Sequence, residues 1–124
     1  MTIQECYNAM GGDYAQIESR LPSVGLIKKF ITKFLDDSSF SELCKAMKEG
    51  QREQAFRASH TLKGVSANLS FSRLLSSVTE LTELLRPETD TIPEEAVLLL
   101  EEVRKDYELT VSSIRTCLDS ADPV

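Results

Sequence analysis

The sequence predicts an all-α fold: an antiparallel up-down-up-down four-helix bundle with two short N-terminal helices covering one end. Three observations carry this expectation. Apolar residues recur at three- and four-residue spacing through four long stretches. Glycine, proline or a serine cluster closes each stretch within a short connection, which makes successive helices antiparallel neighbours. The composition is also poor in strand formers, with 6% aromatics, no tryptophan, and leucine, glutamate and alanine each more frequent than valine. The 124 residues suffice for one packed core, assigned here to residues 1–119, with 120–124 as a tail.

In chain order, residues 2–10 form a short helix ended by Gly11 and Gly12, and Asp13 caps a second over residues 14–20. Pro22 and Ser23 break the chain. Ile27, Phe30, Ile31, Phe34 and Leu35 then make one apolar face, which Phe40, Leu43, Cys44 and Met47 resume after Asp37-Ser38-Ser39. The expected element is one long helix over 24–49 with a kink, stopped by Gly50. A second bundle helix covers 51–69. Ser70 or Ser72 caps a third, over 71–86, whose stripe is Leu74, Leu75, Val78, Leu81 and Leu85. Pro93, with Glu94 and Glu95 at the positive helix end, starts the fourth over 93–118. Its face is Ala96, Leu100, Val103, Tyr107, Val111, Ile114 and Leu118.

The helix over 51–69 holds the only histidine of the chain, His60. At about 100° per residue, Ala55, Ser59, Leu62, Ser66 and Leu69 fall within a wedge roughly 80° wide, a small and apolar stripe suited to a core. His60 lies about 140° round from Ala55, with Phe56, Gly64 and Ala67, so it points outward among small neighbours. A glycine inside an amphipathic helix costs about 1 kcal/mol relative to alanine. Gly64, one turn after His60, therefore suggests that something approaches the helix closely there. Lys63 stands on the neighbouring row, where it can pair with an anion attached to His60.

The run His60-Thr61-Leu62-Lys63-Gly64, followed by Ser66, Asn68 and Leu69, resembles the signature of histidine-containing phosphotransfer (HPt) domains. Gly11-Gly12-Asp13, the helical stretch from Phe30 to Met47, the Gly50 turn and the stretch from Leu74 to Leu85 extend the resemblance over most of the chain. It implies that His60 is phosphorylated, that Lys63 steadies the phosphoryl group, and that Gly64, with Ala67, leaves room for the partner. The chain departs from many members at Ser70, where they have glycine, and at Thr82, where they have glutamine or another polar residue contacting the histidine. Phe56, with Ile17 or Leu21, is a candidate for the apolar centre of a docking patch. Arg57 and Thr82 are further docking or orienting candidates.

The resemblance implies a phosphorelay intermediate and phosphocarrier. A receiver domain's phospho-aspartate would donate to His60, and another response regulator's aspartate would accept. The partners would be receiver domains of hybrid sensor kinases and response regulators, and the receiver would bring the Mg²⁺. An imidazole offers a neutral, nucleophilic nitrogen near pH 7, so it can take a phosphoryl group without a strong base beside it. The chain contains no Gly-rich phosphate loop and no kinase-like motif, so neither an ATP site nor a kinase activity of its own is expected. No cofactor is expected.

Other classes fit less well. Cys6, Cys44 and Cys117 are far apart and lack CxxC spacing, so neither a disulfide framework nor a metal site is expected. The longest apolar run, residues 96–100, is far too short for a membrane span, and no signal segment opens the chain, so a reducing cytoplasm is the expected location. The net charge of -6 argues against nucleic acid. Its distribution is uneven: residues 1–22 carry -2, 23–86 carry +3 and 87–124 carry -7. The histidine thus lies in the one positive region, which suits an acidic partner. A monomer is expected, since the histidine face must stay exposed. The start at Met1 and the short tail suggest a free-standing protein. The alternative function is a non-catalytic helical bundle that binds a receiver without phosphotransfer.

Overall fold

The computed structural model describes residues 1–87 and 90–119. These form helices α1 (Ile3–Met10), α2 (Tyr14–Arg20), α3 (Val24–Phe34), α4 (Ser39–Lys48), α5 (Arg52–Asn68), α6 (Ser72–Leu84) and α7 (Glu95–Asp119), and no strand is present among the described residues. The tail expected at 120–124 lies outside them.

Helices α4 to α7 each pack on the next. The direction of two pairs follows from side-chain contacts. Arg52 at the start of α5 donates to the Leu85 carbonyl at the end of α6, at 2.7 Å. Phe40 stacks on Tyr107, and Cys44, one turn later in α4, meets Arg104, one turn earlier in α7. Both pairs therefore run antiparallel. The core between them is aliphatic, with Leu43, Leu62, Leu74, Val78, Leu81, Leu85 and Val103 fully buried.

Where one helix was expected over 24–49 the structure has two. Asp37 takes the Ser39 backbone N–H at 2.9 Å and also the Ser39 hydroxyl, offering the backbone a turn in place of a helical ladder. At residues 47–51 the chain reverses through Gly50 at φ 68°, a left-handed position where a side chain is unfavourable. Ser70 occupies the same left-handed region at φ 59° without being glycine. It closes a helix-terminal motif at the end of α5, with Phe71 N–H on the Ser66 carbonyl and Ser70 N–H on the Ala67 carbonyl. The expected serine cap of α6 is absent: Phe71 is the N-cap residue, and the Ser70 hydroxyl donates instead to Gln16.

The stripe of α7 also differs from expectation. Ala96, Leu100, Val103 and Ile114 are buried as read, but the second half also buries Thr110, Ser113 and Cys117, leaving Tyr107, Val111 and Leu118 only partly covered. The cause is α1, which packs along this half. The α1–α2 turn then covers the end of the bundle where α5 passes into α6: Asp13 N–H binds the Ser70 carbonyl, Arg73 N–H binds that of Gly11, and Tyr7 donates to that of Leu69 at 2.7 Å. Contact is close there. A Cβ on Gly12 would stand 2.7 Å from the Tyr7 ring and 3.0 Å from the Ser70 carbonyl. Gly12→Ala is therefore expected to destabilise the fold by about 1–3 kcal/mol, the range for overpacking. The urea unfolding midpoint measures this, and an unchanged midpoint would contradict the close fit.

Candidate functional site

Helix α5 presents two faces of different character. Ala55, Ser59, Leu62 and Ser66 are wholly buried, and their small size lets α4 and α6 pack close. His60 projects from the opposite side and is exposed. No hydrogen bond or ion pair restrains its imidazole among the described residues; its neighbour is the Phe56 ring, with centroids 6.0 Å apart. Gly64, one turn on, is exposed, and a Cβ added to it would meet nothing within 4 Å. The helix surface beside the histidine is therefore clear on the side where a partner would approach.

Cations gather around the imidazole from two helices. Arg86, just past the end of α6, lies over the Phe56 ring at 5.7 Å and shares a shallow depression with Phe56, Arg57, His60 and Thr61. Two nitrogens of Arg86 hold the Glu83 carboxylate, at 2.7 and 3.0 Å. This bond, reinforced by the charge of Lys63, keeps the Glu83 carboxyl below its ordinary range. Lys63 is half-buried on the same side. Arg57 is exposed and paired with Glu53 at 2.7 Å. All these ion pairs are solvated, so the arginines can exchange partners at little cost.

The other sequence candidates separate. Phe56 is partly exposed beside His60; Ala67, about two turns further along α5, is also partly exposed, and its carbonyl accepts from Arg20 at 2.6 Å. Thr82 is fully buried and its hydroxyl donates to the Val78 carbonyl at 2.7 Å, so it takes no part in the exposed surface. The same holds for Ile17, which is 0% exposed, while Leu21 packs half-buried against the core. Phe30, assigned from its spacing to the buried face of its helix, is instead exposed and lines a groove with Lys33, Val65 and Asn68. Arg86 and Phe30 were both missed. Arg86 stands one turn beyond Thr82, a spacing that brings it to the same helix pair, whereas nothing local distinguishes Phe30 from its buried neighbours.

The family model for the Hpt domain matches residues 27–119. The chain belongs to the Hpt domain family. The match takes in α4 to α7 and most of α3. No curated protein and no solved structure matches the chain. Membership gives this Hpt domain a histidine phosphotransfer role in phosphorelay, as a phosphocarrier rather than an enzyme, with receiver domains as the class of partner. Among the described residues no helix is long and apolar enough to cross a membrane, and no cluster of His, Cys, Asp or Glu is arranged to hold a metal ion.

Proposed function

We propose that His60 is the phosphorylated residue of a phosphorelay intermediate, taking the group from a receiver-domain phospho-aspartate and passing it to the aspartate of another response regulator. The observation that carries this reading is an exposed, unrestrained imidazole standing between a bare glycine surface and a two-helix cluster of cations. In the first step the imidazole nitrogen forms the N–P bond as the aspartyl O–P bond breaks, releasing the carboxylate. The second receiver reverses these events. Lys63 and Arg86 offset the negative charge brought to His60, acting by position and not by proton transfer. The divalent metal and the acidic pocket belong to the receiver, and this chain contributes no ATP site.

Gly64 and Ala67 form the surface on which the receiver's loops settle, with Phe56 and Phe30 as apolar contacts on either side of the ridge. The experiment is a two-step transfer: a labelled phospho-receiver, then this chain, then a second, unlabelled receiver. Label reaching the second receiver only in the presence of the chain supports the relay. Binding of both receivers with no label passing would mark a non-catalytic module. Arg86→Ala is expected to slow acceptance about five- to tenfold, the discount from larger electrostatic effects reflecting solvent exposure. The rate of label uptake by the chain measures it, and an unchanged rate would remove Arg86 from the site.

A further inference from the structure

We propose that Cys6 and Cys117 are a redox modification site: under oxidising conditions they form an intramolecular disulfide that fastens α1 to the end of α7. Their placement is reciprocal. The Cys6 Sγ lies 3.5 Å from the carbonyl oxygen of Ser113, one helical turn before Cys117. The Cys117 Sγ lies 3.7 Å from the carbonyl of Met1 and 3.9 Å from that of Thr2, which itself accepts the backbone N–H of Cys6. Each thiol thus rests on the turn of backbone that carries the other cysteine. Both are reduced in this structure and both are buried. Cys44, the third, is half-buried against Arg104 on another part of the bundle and has no such partner among the described residues.

The two thiols have different tasks. Cys117 is 7% exposed where the N-terminal residues cross it, so it is the one of the two thiols that an oxidant meets first. Cys6 is 0% exposed, and burial beside Cys117 pushes its thiol up to about 12, so it is inert until a sulfur electrophile stands next to it. With glutathione disulfide as oxidant, the Cys117 thiolate attacks one sulfur, the S–S bond breaks and one glutathione thiolate leaves. The Cys6 thiolate then attacks the Cys117 sulfur of the mixed disulfide and releases the second. Two protein thiols are oxidised, one glutathione disulfide becomes two glutathiones, and these carry away the two protons.

The link joins the two ends of the chain, where loop closure constrains the unfolded state most. It also holds in place the helix whose Tyr7 binds the Leu69 carbonyl and whose following turn covers the end of α5. The site lies apart from His60, so its test does not depend on phosphotransfer.

The test exposes the native protein to glutathione disulfide, denatures it, alkylates it with N-ethylmaleimide and weighs it. The expected product yields one linked peptide pair containing Cys6 and Cys117, with Cys44, the more exposed thiol, outside that link as an alkylated or glutathione-capped residue. Its thermal midpoint rises by about 5 °C or more over the reduced protein. Cys6→Ser abolishes both the linked pair and the rise. Three alkylated thiols, glutathione retained on Cys117 of the native chain, a bridge through Cys44 or between chains, or a linked product with a lower midpoint would each overturn the proposal.

Discussion

His60→Gln is expected to abolish phosphoryl acceptance, reducing label on the chain to background, while leaving the unfolding midpoint and receiver binding close to those of the native protein. The separation of effects follows from the position. The imidazole is exposed and makes no hydrogen bond or ion pair among the described residues, so its removal leaves no cavity and no orphaned partner. Glutamine keeps a polar side chain of comparable reach but lacks a nitrogen lone pair able to form an N–P bond. Circular dichroism melting, receiver binding by titration and transfer by autoradiography measure the three quantities. Loss of binding together with transfer would mean that His60 holds the complex together, and the account of it as a reacting group on a preformed surface would have to be abandoned.

Gly64 carries the second large effect. Gly64→Gln is expected to slow transfer by at least about tenfold, because its side chain would rise from the helix where the receiver's loops must settle, and part of the near-attack geometry would be lost. The same change should leave the fold as stable or more so, since glycine in a helix interior costs about 1 kcal/mol relative to alanine. Gly64→Ala separates the two terms. A Cβ there meets nothing within 4 Å, so alanine should stabilise the chain while transferring at a near-native rate. If the glutamine variant transferred as fast as the native chain, the bare surface at Gly64 would have no part in docking.

Much of the bundle was legible because its helices are amphipathic over several turns. The buried stripe of α5 appears in the structure as the periodicity has it, with Ala55, Ser59, Leu62 and Ser66 at 0% exposure. What was not legible depends on contacts between distant segments. Val111 and Leu118 fit the helical face of α7 by spacing, but α1 packs on α7, with Cys6 against the Ser113 carbonyl and the residues just before α1 against Cys117, and the buried face turns with it. The break at Asp37 arises from side-chain capping that competes with an otherwise continuous apolar pattern.

The site divided in the same way. His60, Lys63 and Gly64 lie within five residues on one helix, and their facing follows from α-helical geometry alone. Arg86 joins them only because α6 packs beside α5, and Phe30 lines an open groove with Val65 and Asn68 that its spacing within α3 does not reveal. Thr82 shows the reverse. It is a docking or orienting candidate in the sequence, and packing buries it, with its hydroxyl satisfied inside its own helix. The facing thiols of Cys6 and Cys117, near opposite ends of the chain, had no signal in sequence at all.

The most direct test of the central claim is the chemistry of the label after a phosphorylated receiver is mixed with the purified chain. The native protein is expected to carry a label that is stable in base and lost in acid, as a phosphoramidate is, located by fragmentation to His60. A label with the opposite stability, or one that fragmentation places on any other residue, would contradict the claim.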